Sequence, residues 1–231
     1  MTILNESQLD RDKELAYFTG KSLEEIQKIE MATPISIKIY DEKEEIKPEN
    51  YIELYTDYKF LDMTAHIKTV MNRSAKSRHR ELFNLLKTTK NKVCLDYGSG
   101  VGTHAIALAE NNNRITLYDV EGSELLRFAI ERMVHRFLPF NVLVHTDNLP
   151  QQKYDVVICT DVLEHVAEPL RELLRITDAL KRGGTLHLLV STMRKPSSGH
   201  FSTSIDLWIK EGIPFMEEYF IKEGQTIYRK K

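Results

Sequence analysis

From residue 92 onward the chain alternates between two periodicities. Short runs rich in β-branched residues, Lys92–Tyr97, Arg114–Asp119, Asn141–Asp147, Tyr154–Thr160 and Thr185–Ser191, read as strands. Between them lie segments with helical spacing of apolar residues: Thr103–Asn111, Ser123–Phe137, Leu163–Val166 and Pro169–Leu180. Strands that alternate with helices of this length return over the sheet by right-handed crossovers, which makes them parallel. The expected fold class is α/β, a doubly wound Rossmann-like sheet. Within it "KRGG", Lys181–Gly184, reads as basic charge at a helix end followed by a glycine stop. The tail "PFMEEYFIKEGQTIYRKK" departs from the pattern, because two strand-like runs flank Glu223-Gly224. That is a hairpin signal, so the last strand is expected to run antiparallel at or near the sheet edge.

The first ninety residues are different in kind: polar, charged and helical in pattern. Helices are expected over Ser7–Phe18, Ser22–Met31, Glu49–Asp57 and, with a break, Phe60–Lys87, and Asp41–Asn50 reads as a charged connection. Ser22-Leu-Glu-Glu has the hydroxyl and first-turn acids of a helix start. We divide the chain into an extension over residues 1–90 and an α/β domain over residues 91–231. Net charge is −2 and charged residues make up 29%, which gives no global nucleic-acid footprint and no sign of disorder. No apolar run reaches spanning length, and the N-terminus lacks the pattern of a secretion signal. The two cysteines, Cys94 and Cys159, each lie in an apolar run and are expected to be reduced core thiols of a cytoplasmic protein.

The first strand runs into "DYGSGVG", Asp96–Gly102. Glycines there let the backbone turn tightly and let a ligand approach beyond the carboxyl end of the strand. A phosphate-binding P-loop needs Lys-Ser/Thr after its last glycine, and here Thr103-His104 follows. A dinucleotide fingerprint fits Gly98 and Gly100 but meets Thr at 103. Asp96 would repel a pyrophosphate and attract an ammonium group. S-adenosylmethionine carries an α-ammonium and a sulfonium and no phosphate. Three later strand ends add carboxylates or amides: Asp119, Asp147 with Asn148, and Thr160 with Asp161. Taken singly these are also ordinary turn and cap residues; as a set with the glycine loop they read as one nucleoside site.

"VCLDYGSGVGTHAIALA", "LYDVEG", "YDVVICTDVLEHVAEP" and "LKRGGTLHLLV" together resemble the class I S-adenosylmethionine-dependent methyltransferases, in the subgroup of ubiquinone-type O-methyltransferases, over about Asn91–Thr192. The resemblance implies a seven-stranded sheet with a reversed last strand and an N-terminal helical cap over the active site. It places Asp96, Gly98, Ser99 and Gly100 around the methionine moiety and Gly102 in close helix packing. Asp119 would hold the ribose, Val120 the adenine face, and Asp147 and Asn148 the adenine, with Thr160 and Asp161 near the transferred methyl.

"DVLEHV" puts Asp161, Glu164 and His165 at i, i+3 and i+4, one face if the segment is helical. With His200 they form a candidate divalent-metal set that would hold the acceptor oxygen; related methyltransferases with a similar motif bind metal there. The alternative, and the preferred reading of the motif, is that Glu164 and His165 only order the turn after the fourth strand. His165 and, on the extension, His66 and Tyr58 are further candidates on the acceptor side. The basic cluster Asn72–Phe83 reads as a solvated helix face, and Trp208 as a core anchor. The expected activity is methyl transfer to an oxygen or nitrogen on a small molecule or peptide. An RNA acceptor, or a silent cofactor-binding module acting through a partner, stands as the alternative. Nucleic acid is not the expected partner, and the fourth strand lacks the Asn/Asp-Pro-Pro-aromatic motif of an amino-directed adenine methyltransferase, which does not exclude every RNA target.

Overall fold

The computed structural model describes residues 3–30, 52, 56, 63–75, 80–193 and 200–231. The expected helix Glu49–Asp57, apart from residues 52 and 56, the connection Asp41–Asn50, Tyr58 and residues 194–199 lie outside the described residues. So do the side chains of much of the basic cluster Asn72–Phe83.

Seven strands form one sheet: β1 Val93–Tyr97, β2 Arg114–Asp119, β3 Phe140–Val144, β4 Tyr154–Thr160, β5 Leu180–Leu189, β6 Phe220–Lys222 and β7 Ile227–Lys230. Their order is β3-β2-β1-β4-β5-β7-β6. Strands β1 to β5 are parallel, and β7 runs antiparallel to both β5 and β6. The reversed last strand thus lies one place in from the edge, with the short β6 outside it. The order reverses between β1 and β4, which opens a crevice past their carboxyl ends.

Nine helices are described: α1 Gln8–Thr19, α2 Leu23–Lys28, α3 Met63–Ala75, α4 Arg80–Thr88, α5 Thr103–Ala109, α6 Glu124–His135, α7 Pro169–Ala179, α8 Ser202–Leu207 and α9 Ile213–Tyr219. A π turn, Trp208–Gly212, joins the last two. Both α1 and α2 begin with a capping box, Ser7 with Asp10 and Ser22 with Glu25; a hydroxyl cap of this kind is worth about 1 kcal/mol.

The central strands are apolar on both faces, as a sheet covered on two sides requires. On one face Cys94, Ile115 and Ile158 pack with Leu82 and Leu86 of α4, the alanines of α5, and Leu126 and Met133 of α6. On the other, Leu95, Val157 and Leu186 pack with Leu173 and Ile176 of α7, Trp208 and Met216. Trp208 is buried there as a core anchor. A third cluster joins the extension to the domain: Leu15, Ile26, Ile67 and Met71 close on Val101, Leu125 and Phe128. Among the described residues no helix is long and apolar enough to cross a membrane.

Three local readings change. "KRGG" is no helix stop. Helix α7 ends at Ala179, Leu180 is already paired with Tyr154, and the register then jumps to Val156 opposite Thr185. The four residues make a bulge, with Gly183 at φ +70°. The buried Leu180, paired opposite Tyr154, begins the strand directly after the helix. Strand β3 stops at Val144 rather than Asp147, because the Asp147 carboxylate turns back to accept the Val144 N–H at 2.8 Å. Leu163–Val166 forms only a single 3-10 turn, Leu163–His165.

Candidate cofactor and metal site

The glycine loop closes the crevice through contacts a side chain would forbid. Gly98 sits at φ +72°, and a Cβ on it would lie 2.4 Å from Val162 Cγ2. Its bareness lets the end of β1 touch the turn after β4. Gly102, at φ +71°, would place a Cβ 2.9 Å from that of Ala129, so it lets α5 lie against α6. The loop is sewn to β2 by the N–H groups of Gly98 and Ser99, which donate to the Tyr118 carbonyl at 2.8 and 3.0 Å.

Asp96 is 2% exposed. One of its oxygens accepts the Ala105 N–H at 3.0 Å, and the other faces His104 Nδ1 at 3.8 Å. The carboxylate therefore steadies the start of α5 from beneath the loop. His104 takes no part in the sequence reading of the site, yet its imidazole lies against this carboxylate.

Asp119 ends β2. Its carboxylate accepts the Gly100 N–H at 2.6 Å and the Val120 N–H at 2.7 Å. Burial outweighs those two bonds and pushes its carboxyl up to about 6. Val120, beside it, is buried. Asp147 is half-buried in its own turn and Asn148 is exposed. That turn is held from below by Arg175, whose Nη2 donates to the Asp147 carbonyl at 2.7 Å. Arg175 is a residue of α7 that nothing in a single sequence ties to position 147. Thr160 Oγ1 lies 3.3 Å from Nδ1 of the buried His187 on β5.

Asp161, Glu164, His165 and His200 converge. Their ligand atoms all lie within 4.8 Å of one another. Asp161 adopts a left-handed φ of +61°, which points its largely exposed carboxylate toward both imidazoles. His165 Nε2 and His200 Nε2 are each 4.0 Å from Asp161 Oδ1, and the two rings meet edge to face at 4.8 Å. Glu164 is fully buried, and its Oε1 accepts the Ser191 N–H at 2.6 Å. Burial, then the Asp161 carboxylate, push the Glu164 carboxyl well above the ordinary carboxylate range. His200 is held by Nδ1 against the Met193 carbonyl at 3.0 Å. His66 stands outside this group, half-buried on α3. One helical turn beyond it, Val70 Cγ1 lies 3.8 Å from where a Gly100 Cβ would be, so α3 covers the glycine loop.

A bare-backbone loop lined by Asp96 and Asp119, at the switch point of a sheet with a reversed β7, defines a class I methyltransferase architecture. A methyltransferase-domain family matches residues 69–218, and the chain belongs to that family, the class I S-adenosylmethionine-dependent methyltransferases. A ubiquinone biosynthesis O-methyltransferase of Serratia proteamaculans is 33% identical over 110 residues, covering 46% of this chain and 44% of that protein. A tRNA U34 carboxymethyltransferase of Shewanella amazonensis is 33% identical over 107 residues, covering 45% of this chain and 32% of that one. The chain thus spans less than half the length of the curated relatives it matches. Among solved structures, a SAM dependent methyltransferase of Aquifex aeolicus aligns with a TM-score of 0.48 at 16% identity, over 80% of this chain and 96% of that one.

Proposed function

We propose that the chain transfers the methyl group of S-adenosylmethionine to a hydroxyl oxygen, and that Asp161, Glu164, His165 and His200 bind a divalent cation beside that oxygen. The observation that carries this reading is the convergence of two carboxylates and two imidazoles within 4.8 Å, one residue from the Val162 that touches the glycine loop. A buried acid beside a second acid is costly unless a proton or a cation lies between them. The fit to the nucleoside rests on Gly100, where an added Cβ would meet only Val70 at 3.8 Å, and on the Asp96 and Asp119 carboxylates.

The bound cofactor supplies an already activated methyl on sulfur, and a divalent cation would polarise the acceptor hydroxyl. The chain's own work is alignment. Asp119 receives the ribose diol, with Val120 against the adenine and the Asp147–Asn148 turn, propped by Arg175, at its edge. Ser99 and Gly100 shape the methionine side, and Thr160 and Asp161 border the methyl. Orientation of this kind can recover about 7–11 kcal/mol of a bimolecular barrier. The described helices α1 to α3 close on Val101 and Gly100 as a cap that would exclude water, which favours a small molecule or a peptide as acceptor. An RNA acceptor is the second reading, favoured by the name of the Shewanella relative.

The test uses protein purified without chelator. Metal analysis should find about one divalent ion per chain, and labelled methyl should pass from S-adenosylmethionine into the small-molecule or peptide fraction of a cell extract. Stripping the ion should stop transfer while S-adenosylhomocysteine still binds. Full transfer from metal-free protein would eliminate the cation, and label confined to RNA would move the acceptor to the second reading.

A further inference from the structure

Helix α5, which follows the glycine loop, is gripped at both ends by the N-terminal extension. At its far end the Glu110 carboxylate accepts the Ile3 N–H at 2.9 and 3.1 Å. At its near end the grip passes through Arg132 of α6, a guanidinium only 1% exposed. Arg132 Nη1 donates to the carbonyl of Val101 at 2.6 Å and to Thr103 Oγ1 at 3.1 Å, the two residues flanking Gly102. Its Nε donates to Glu14 of α1 at 2.8 Å, and Nη2 lies 3.5 Å from Glu6. Arg136 bridges the same two acids. The acids that neutralise this buried charge therefore come from the extension, while the carbonyl it holds belongs to the cofactor loop.

Other contacts run the same way. The Val101 side chain is buried among Leu15, Ile26, Ile67 and Met71 of the extension. Arg11 Nε donates to Asn72 at 3.0 Å, which ties α1 to the helix that lies over Gly100. Without residues 3–19, Arg132 would hold the Val101 carbonyl with neither Glu6 nor Glu14 opposite it. A buried charge that loses its partner is strongly destabilising. The loop would have to open or α6 would have to shift.

We infer that Ile3–Thr19 is a working part of the cofactor loop: Glu14, acting through Arg132, is a positioning residue for the Val101–Thr103 turn, and docking of α1 and binding of the cofactor are linked equilibria. The inference rests on the cofactor reading above. Linkage is reciprocal, so cofactor must hold α1 as firmly as α1 holds the loop. A helix that is only structural would gain no more protection from the cofactor than the distant α9, Ile213–Tyr219, gains through global stabilisation.

The experiment measures hydrogen exchange of the Gln8–Thr19 amides in the full chain, with and without S-adenosylhomocysteine, and calorimetric affinity for Glu14→Gln. Saturating S-adenosylhomocysteine should slow exchange across α1 by about tenfold more than across α9, and Glu14→Gln should weaken binding by a similar factor, within the usual span of coupling between sites. Glu223→Gln, which breaks only the distant pair with Arg229, should leave affinity unchanged. Protection of α1 no greater than that of α9 in a chain that binds the nucleoside overturns the linkage, and it needs no variant to fold. An unaltered affinity in Glu14→Gln overturns the role of Glu14. Failure of the unmodified chain to bind the nucleoside at all would instead refute the cofactor reading.

Discussion

The contact between Gly98 and Val162 can be broken in a way that separates its two causes. Gly98→Ala forces an L-residue into φ +72°, which costs about 1–2 kcal/mol. The new methyl would also lie 2.4 Å from Val162 Cγ2. Val162 must then leave its rotamer, at about 0.5–1.5 kcal/mol. Together these give a loss of about 1.5–3.5 kcal/mol. For a domain of this size that lowers the melting temperature by about 3–14 °C. Val162→Ala removes the offending Cγ2 and leaves its Cβ 3.5 Å from the new methyl, an ordinary contact. In the Val162→Ala background, then, Gly98→Ala should cost only the backbone part. The double-mutant cycle should return a coupling of about 1 kcal/mol, within the range for residues in contact. Thermal denaturation of the four proteins measures it. Equal cost of Gly98→Ala in both backgrounds would refute the close-approach argument, and a loss below about 0.5 kcal/mol, the scale of an ordinary surface change, would refute the backbone argument as well.

Asp119 and Glu81 give predictions of opposite sign with pH. The Asp119 carboxyl is raised to about 6 from 3.8, so between those values the folded chain holds a proton the unfolded chain has lost. Stability should fall as pH rises through that window, by at most about 3 kcal/mol, and Asp119→Asn should abolish the fall in denaturant titrations. A ribose diol donating to the ionised form reverses the preference, so S-adenosylhomocysteine should bind up to about tenfold more weakly per unit below pH 6, and Asp119→Ala should cost about 1–3 kcal/mol of affinity. Glu81 accepts the N–H groups of Gln225 and Thr226 at 2.8 and 2.7 Å, which hold its carboxyl below the usual range. Glu81→Gln should lower the melting temperature at neutral pH, and the gap to the unmodified chain should close as pH falls through the depressed folded-state value.

What sequence could show follows from how far apart the partners lie. Strand β2, Arg114–Asp119, and strand β4, Tyr154–Thr160, have the bounds their β-branched runs imply, because both are central and their apolar pattern meets no competing turn. The reversed β7 was legible from the hairpin around Glu223-Gly224. The bulge at Lys181–Gly184 was not, since basic residues before two glycines also end helices, and only the pairing of Leu180 with the distant Tyr154 decides between them. The convergence of Asp161, Glu164 and His165 was expected from a helix. The chain achieves it instead with one left-handed residue and one 3-10 turn, and that local geometry has no periodic signature. The Glu14–Arg132 link spans 118 residues, and nothing local to either residue announces the other.

Asp161 carries two demands at one position: a carboxylate facing two imidazoles and a backbone at φ +61°. Asparagine and glycine meet the second without the first, whereas alanine and valine meet neither cheaply. The genetic vocabulary open to this position is therefore small. A chain of the same family that reads Asn there has kept the shape of the turn and given up its charge, whereas alanine scanning would confuse the two.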